Sequence, residues 1–474
     1  MPSEGKKKGK LDFLNNLKVR YQPSANRDSV TVFSNSTFDS DPLPSQLDLT
    51  GGYKVHEVVI PDSVGEGQSP STRPTKWTHR LDFIIHAVGY SVGLGNLWRF
   101  PYKVYENGKG AFLVPYLLIL SLFGLPLFFL ELVLGQYLSR GPIKVFGRMA
   151  PIFEVRYIHG TNPKSKLLLV NSIFFQGLGY SMMALSSCMV IYYNVINFWS
   201  ILYFFTSFTM GNTEFAKKGY EEYSTVHQGE FYFQENFLKL DGSVHRWGNF
   251  GEMQWQMVLC CMASWIIIGL VVAKSVNFSR YAVYFTCSYP FICLTALSII
   301  AMTQDGWYNH GIKEILEFDS SELLKAKVWK EASLQVFFSL GIGIGNLLNL
   351  ARFNSFKNNC FRDAYLILFG DTVMSLLSAF VVFAFMGYLR KLDTVFNLDD
   401  MVAGGPKMAF EVLMSGMAKV FEDTPGVPQM MIALFSILLL TLGMDCIFAT
   451  MDTLICAFQD QFKFLREKRG TKYF

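Results

Sequence analysis

Two short segments of the chain combine closely spaced glycines with an asparagine. The first reads GLGN at 93–96 and the second reads GIGN at 343–346. Both fall within apolar stretches, where each glycine lowers helix stability by about 1 kcal/mol relative to alanine. In lipid, the backbone groups freed by such a break need partners. Broken helices can offer N–H groups to an anion and carbonyl oxygens to a cation, so two matching breaks favour a binding site near the middle of the membrane. Close helix packing would be the alternative interpretation of a single cluster.

The sequence around these segments is typical of a polytopic membrane protein. Of its 474 residues, 51% are hydrophobic and 17% are charged, which is rare in soluble domains. Windows long and apolar enough to span a membrane lie near 83–105, 111–137, 167–206, 256–274, 281–302, 332–351, 364–389 and 428–458. About eight spans predict an all-α fold with both termini in the cytosol. The basic segments at 138–166, 274–280, 352–363 and 463–474 would share that side.

Composition divides the chain into three parts and excludes some functions. We predict a mostly disordered cytosolic tail over 1–80, a transmembrane domain over 81–462 and a short basic cytosolic end over 463–474. A net charge of only +4 and the absence of a basic stripe exclude a nucleic-acid partner. The seven histidines are scattered, and the glycines at 341–345 lack the Lys-Ser/Thr of a phosphate loop, so catalysis has no support. The eight cysteines show no transition-metal spacing.

Seven segments, in order, resemble the sodium-coupled neurotransmitter and amino-acid symporter family. They are GYSVGLGNLWRFP (89–101), ENGKGAF (106–112), PLFFLELVLGQY (126–137), YYN (192–194), QVFFSLG (335–341), NNCFRDA (358–364) and LGMD (442–445). The resemblance implies an inverted repeat of five helices plus five, with helices 1 and 6 broken. Family members have twelve spans, so we expect the second repeat to be incomplete here and to lack the last four spans. They use a sodium gradient, often with chloride, to carry small amines or amino acids.

The resemblance implies two sodium sites. The first would use the Ser91 carbonyl with the side chains of Asn96, Ser339 and Asp371. The second would use carbonyls of Gly89, Val92 and Leu442 with the side chains of Asp445 and Cys446. Hard oxygen ligands suit sodium. The family has a Ser or Thr hydroxyl at the position of Cys446, and a thiol is a poor ligand for a hard cation.

The chloride site implied by the resemblance consists of Tyr116, Gln335, Ser339 and Ser375, next to Asp371 where the family has Asn. An ionised Asp371 would favour sodium and oppose chloride. A protonated Asp371 would instead imitate the amide. A buried hydrogen bond between packed helices is the structural alternative for an intramembrane Asp. Chloride dependence therefore stays open at this point.

The resemblance also implies substrate contacts and two gates. The substrate residues would be Leu94, Gly95, Met189, Tyr193, Phe338, Gly341 and Ile344, with Tyr193 and Phe338 as a lid. Gly93, where monoamine carriers have Asp, leaves room for a substrate carboxylate, so we expect an amino acid or a related compound such as GABA, betaine or creatine. Arg99 would belong to the outer gate and Asp460 to the inner gate. Lys109 replaces a family glycine, and Phe353 replaces a gate tyrosine.

Three interpretations of function follow. In the first, the chain is a sodium-coupled symporter of the plasma membrane, surrounded by lipid and working by alternating access. In the second, it is a non-transporting isoform that regulates a full-length carrier. In the third, it is an unrelated receptor or channel with eight spans.

Overall fold

The computed structural model describes residues 17–21, 30–34, 76–77, 79–149, 163–209, 232–239, 253–273, 276–392, 405–421, 424 and 426–462. The chain divides into two units, Met1–Arg73 and Pro74–Phe474. In the first unit, strands β1 (Leu17–Tyr21) and β2 (Val30–Ser34) pair in an antiparallel manner. This pair was not predicted. Apart from residues 76–77 and 79–80, the rest of the tail and the segment 463–474 lie outside the described residues, and our expectations for them stay predictions.

The second unit is almost entirely helical, which confirms the all-α expectation for this part of the chain. Its α-helices are α1 Arg80–Ser91, α2 Phe100–Glu106, α3 Leu113–Ile119, α4 Leu125–Leu138, α5 Pro142–Met149, α6 Pro163–Thr209, α7 Trp255–Ala273, α8 Val276–Met302, α9 Lys313–Ile315, α10 Ala326–Leu340, α11 Asn346–Ala351, α12 Cys360–Leu392, α13 Met414–Val420 and α14 Val427–Gln461. Wider π-helical turns lie at Gly95–Arg99, Leu120–Gly124, Tyr232–Phe237, Tyr308–Ile312 and Met408–Leu413, and tighter 3₁₀ turns at Gly110–Phe112 and Ser320–Leu324.

Six helical segments of the described chain are long and apolar enough to cross a membrane. They are Gly110–Leu138, Gly177–Phe208, Trp255–Val272, Tyr281–Met302, Cys360–Leu392 and Val427–Gln461. The two other predicted spans, 83–105 and 332–351, are interrupted in the structure, so neither contains one long continuous helix. Large apolar side chains such as Leu122, Ile191 and Phe369 point outward from the long helices. The chain is therefore a multi-pass membrane protein.

Two long helices hold the interrupted ones in place. Helix α14 packs most extensively against α6 and also contacts α1, α8 and α11. Helix α12 contacts α1, the π-helical turn Gly95–Arg99 and α2. The broken segments thus lie between α12 and α14, with α4 packed against α11. Polar groups exposed by the breaks are consequently surrounded by protein rather than lipid, as the membrane requires.

Lys109 joins α2 to the turn before α3 in an unusual backbone conformation. Its φ is +55°, a region that favours glycine. The Lys109 ammonium lies 2.8 Å from a Glu317 carboxylate oxygen and 3.5 Å from one of Glu314. Burial lowers the pKa of Lys109, but the hydrogen bond to Glu317 and the charge of Glu314 outweigh it, so its pKa is raised overall. The same hydrogen bond lowers the pKa of Glu317, so both groups are charged at neutral pH.

Replacing Lys109 separates the effect of its ion pairs from the effect of its strained φ. Lys109→Ala should lose the partly exposed ion pairs, which contribute little to stability, and keep the strained φ. Lys109→Gly loses the same pairs but relieves about 1 kcal/mol of strain. We therefore expect the Gly variant to unfold at a higher temperature than the Ala variant when both full chains are heated in detergent. An equal or lower midpoint for Lys109→Gly would contradict this account.

Candidate functional site

The first interrupted helix is stabilised by its own asparagine. Helix α1 ends at Ser91, and Val92 adopts an extended conformation. The Gly93 N–H then donates to Asn96 Oδ1 at 3.1 Å, while the Asn96 N–H donates to the Gly93 carbonyl at 3.1 Å. The Ser91 hydroxyl donates to the Ala87 carbonyl at 3.0 Å. Ser91 is the last residue of α1, so its own carbonyl lies at the end of the helix. The asparagine of the motif thus closes the break that its glycines open.

Asp371 connects the two interrupted helices to α12. Asn96 Nδ2 donates to Asp371 Oδ1 and to Ser375 Oγ, each at 2.8 Å. The Ser339 hydroxyl lies 2.9 and 3.1 Å from the two Asp371 carboxylate oxygens. Asp371 is fully buried, and the other three side chains are also buried. Three members of the predicted first sodium site, Asn96, Ser339 and Asp371, therefore meet in one oxygen-rich cluster.

A second cluster forms around Asp445 on α14. A Cβ atom added at Gly89 would lie 2.7 Å from Asp445 Oδ2, so α1 passes directly beside this carboxylate. The Thr286 hydroxyl of α8 donates to the other oxygen, Oδ1. Cys446 Sγ lies 3.3 Å from the Tyr90 carbonyl oxygen. Gly89, Asp445 and Cys446 of the predicted second sodium site are thus brought together.

The other members of this predicted site are backbone positions. Val92 follows the end of α1 directly, and Leu442 is buried on α14 one turn before Cys446. Thr286 was not predicted, although a hydroxyl in an otherwise apolar span is a weak signal in the sequence. Its position suits it to orient the Asp445 carboxylate.

The residues of the predicted chloride site include unpaired buried groups. The Tyr116 hydroxyl lacks a well-formed hydrogen bond among the described residues, as do both amide atoms of the fully buried Gln335. Ser375 Oγ accepts from Asn96, and Ser339 Oγ is bonded to Asp371. A buried polar group without a partner costs about 1–3 kcal/mol. The donors of Tyr116 and Gln335 fit an anion, whereas the Asp371 carboxylate beside them opposes one.

A cavity lies between the interrupted helices, α6 and α14. Six of the predicted substrate residues line it: Gly95, Met189, Tyr193, Phe338, Gly341 and Ile344. The seventh, Leu94, is buried but is not among the lining residues. Gly341 has a φ of +62°, and a Cβ atom there would overlap the Tyr90 hydroxyl. Ser91, Asn96, Ser339 and Cys446 also line the cavity, so it adjoins both clusters.

Arg99 contacts an aromatic ring rather than a carboxylate. Its guanidinium carbon lies 4.3 Å from the centroid of the Phe338 ring, and Phe338 lines the cavity. Arg99 Nη1 is buried without a hydrogen-bond partner among the described residues. A cation over an aromatic face contributes roughly 0.5–2 kcal/mol. Arg99 therefore covers the predicted lid.

The predicted inner-gate residue Asp460 has a partner that we did not predict. Its Oδ2 lies 3.5 Å from Arg352 Nη1 and accepts the Gly141 N–H at 2.8 Å. Arg352 and Asp460 are both buried. Beside them the Trp77 indole N–H donates to the Leu350 carbonyl at 3.1 Å. From the sequence, Arg352 counted only as one of several basic residues in the segment 352–363 between two spans.

Glu131 is a further residue without a predicted role. It lies on α4, where it is buried, and its Oε1 accepts the Gly343 N–H at 2.7 Å. An acidic residue within a membrane span was a signal in the sequence, because such residues are usually functional. Its partner could not be inferred without the fold. Glu131 stabilises the second break from outside, as Asn96 stabilises the first from within.

The Arg352–Asp460 pair can be tested by a double-mutant cycle on the full chain. Arg352→Gln and Asp460→Asn should each lower the free energy of unfolding by about 3–5 kcal/mol, because each leaves a buried charge without its partner. The double variant should cost less than the sum. Lys391→Gln is the control, since the exposed Lys391–Asp305 pair should contribute less than about 1 kcal/mol. Additive losses would show that the two charges do not interact.

The chain is similar in sequence to several known transporters. The human sodium- and chloride-dependent neutral and basic amino acid transporter B(0+) is 32% identical over 85% of this chain and 65% of its own length. The Xenopus laevis sodium- and chloride-dependent glycine transporter 2 is 31% identical over 82% of this chain and 51% of its own length. The Drosophila melanogaster sodium- and chloride-dependent GABA transporter ine is 33% identical over 82% of this chain and 40% of its own length. The chain thus spans about two fifths to two thirds of the length of these relatives.

The sequence model of one family matches residues 74–159 and 169–474, which is most of the chain. Members of that family are transporters and not enzymes, which confirms the expectation from the sequence that the chain is no enzyme. The chain belongs to the sodium:neurotransmitter symporter family.

Proposed function

We propose that this chain is a sodium-coupled symporter that carries an amino acid or a related small carboxylated amine by alternating access. The observation that carries the proposal is the buried cluster of Asn96, Ser339 and Asp371 beside the cavity. Oxygen ligands, a fixed negative charge and an adjacent cavity are what a coupled sodium and solute site needs. The names of the three relatives, which are transporters of amino acids, glycine and GABA, support the same class of substrate.

Sodium would be held at two places. At the first, Asp371 supplies the charge and Asn96, Ser339 and the Ser91 carbonyl supply neutral oxygens. At the second, Asp445 supplies the charge beside carbonyls of Gly89, Val92 and Leu442. The Cys446 sulfur is a weak ligand for a hard cation, so this second site depends mainly on Asp445, with Thr286 holding the carboxylate in place.

The solute would lie in the cavity with its carboxylate towards Gly93 and the first sodium ion. Gly93 is also required by packing, since a Cβ atom there would lie 2.9 Å from Cys446 Sγ. Leu94 and Gly95 would offer backbone groups, and Met189, Tyr193, Phe338, Gly341 and Ile344 would surround the rest. Arg99 and Asp460 would close the path at opposite ends.

Chloride is expected to be dispensable because Asp371 provides the counter-charge. Its carboxylate receives hydrogen bonds from Asn96 and Ser339, an arrangement that suits the ionised form. The donors of Tyr116 and Gln335 would then be weakly occupied by an anion or by water. The relatives are named as chloride-dependent, so this is a point at which the present chain would depart from them.

The chain is expected in the plasma membrane, with eight spans, both termini cytosolic and an inverted repeat relating the two interrupted helices. The paired breaks at 93–96 and 343–346 support that repeat. Within the described residues, we see no feature that favours a purely regulatory partner of a full-length carrier.

Sodium binding can be measured without transport. Sodium with a mixture of amino acids should raise the thermal unfolding midpoint of the purified full chain relative to potassium, because a ligand of the folded state stabilises it. Ser339→Ala should reduce the apparent sodium affinity by about tenfold, as one ligand is lost. Ser200→Ala is the matched control, since Ser200 is also buried and its hydroxyl, among the described residues, bonds only to the Ile196 carbonyl. Identical midpoints in sodium and potassium would refute the proposed coupling ion.

The role of Asp371 can be tested by replacing chloride with gluconate. Sodium-dependent amino-acid binding by the unaltered chain should be the same in both salts. Asp371→Asn, which removes the fixed charge and restores an amide, should bind in chloride and lose about tenfold or more in affinity in gluconate. Strict chloride dependence of the unaltered chain would contradict an ionised Asp371.

A further inference from the structure

One wall of the cavity carries a polar pair that belongs to neither ion cluster. Asn346 is the first residue of α11, directly after the second break, and Thr450 lies on α14. Both line the cavity, and their side chains are almost wholly buried, with relative exposures of 1% and 4%. Among the neighbouring wall residues, Val190, Ile344 and Ile447 are apolar. The pair, with the Tyr90 hydroxyl beside Asn346, is therefore a polar spot next to these apolar residues.

The hydrogen bonds fix which end of the Asn346 amide is free. The Thr450 hydroxyl donates its single hydrogen to the Cys446 carbonyl at 2.7 Å. It can then only accept from Asn346, whose Nδ2 lies 2.8 Å away. The amide oxygen must therefore face away from Thr450. Asn346 Oδ1 is buried and has no hydrogen-bond partner among the described residues.

The two matching motifs explain why this oxygen is free. In the first motif, Asn96 Oδ1 accepts the N–H of Gly93. In the second, the equivalent N–H of Gly343 donates to Glu131 instead. Glu131 thus accepts the hydrogen bond that the asparagine accepts in the first motif. Asn346 Oδ1 is released for another partner, and leaving a buried acceptor unpaired is unfavourable unless a ligand fills it.

We propose that Asn346, supported by Thr450, selects solutes whose side chain carries an uncharged hydrogen-bond donor, that is, a hydroxyl or carboxamide amino acid. The proposal rests on the function proposed above and specifies its substrate class. The cavity lining contains no charged side chain, which disfavours cationic and anionic side chains. A site built to pair with a substrate donor discriminates strongly against an analogue that lacks the donor, because its own acceptor is then left unpaired.

L-threonine and L-valine are the decisive probes, since they have nearly the same shape and differ in the hydroxyl. With the purified full chain in sodium, affinity for each is measured from the ligand-dependent rise of the unfolding midpoint. The unaltered chain should bind L-threonine about tenfold more tightly than L-valine. Asn346→Leu should abolish or reverse that preference, and Thr450→Val should weaken it.

Thr453→Val is the matched control for Thr450. Thr453 lies one turn further along α14, is fully buried and donates to the Ala449 carbonyl at 2.8 Å, but does not line the cavity. Its variant should keep the preference for L-threonine.

Each outcome is informative even if a variant fails to fold, because the comparison of the two amino acids uses the unaltered chain. Equal affinities for L-threonine and L-valine, both dependent on sodium, would overturn the role of Asn346 and leave the symporter proposal intact. If neither these nor any other amino acid stabilised the chain in sodium, the proposed function would fail, and the inference with it.

Discussion

The hydrogen bonds of Asp371 are the interaction on which the site depends. This fully buried carboxylate on α12 accepts from Asn96 in the first interrupted helix and from Ser339 at the end of α10. An unpaired carboxylate at this depth would be strongly destabilising, so its donors are required as much as the charge itself. The same donors fix where the two interrupted helices meet α12. One charge therefore sets both the position of the breaks and the character of the proposed cation site beside it.

The backbone groups of the two breaks are satisfied in different ways. The Gly93 N–H is satisfied by Asn96, within its own motif, whereas the Gly343 N–H is satisfied by Glu131 on α4. The first break is thus self-contained, and the second depends on a neighbouring helix. Since backbone groups in a membrane must be paired somewhere, a change at Glu131 would affect the second break without touching the first. The sequence similarity of the motifs conceals this physical difference.

The sequence predicted the interrupted helices and most residues of the site, because glycine clusters and polar side chains are costly inside a membrane unless they serve a site or a close contact. It did not predict contacts that depend on packing between distant helices. Thr286 and Asp445 are 159 residues apart, and nothing local to either indicates the other. Arg352 was interpreted as a basic residue between spans, yet the fold buries it against Asp460. At Lys109 the sequence departs from the glycine of the family pattern, and only the positive φ shows what that substitution costs.

The proposed closures, at Arg99 and at Asp460, differ in the kind of contact that they make, and this difference has consequences for the proposed transport cycle. Arg99 rests on the ring of Phe338, so moving it away leaves no carboxylate unpaired. Arg352 pairs with Asp460, and separating them would expose a buried acid that keeps only the Gly141 N–H. Cation–π contact contributes about 0.5–2 kcal/mol, whereas breaking a buried charge pair costs about 3–5 kcal/mol. Opening at Arg99 should therefore be easier than opening at Arg352, and bound solute would act on Phe338 first because that ring is part of the cavity wall.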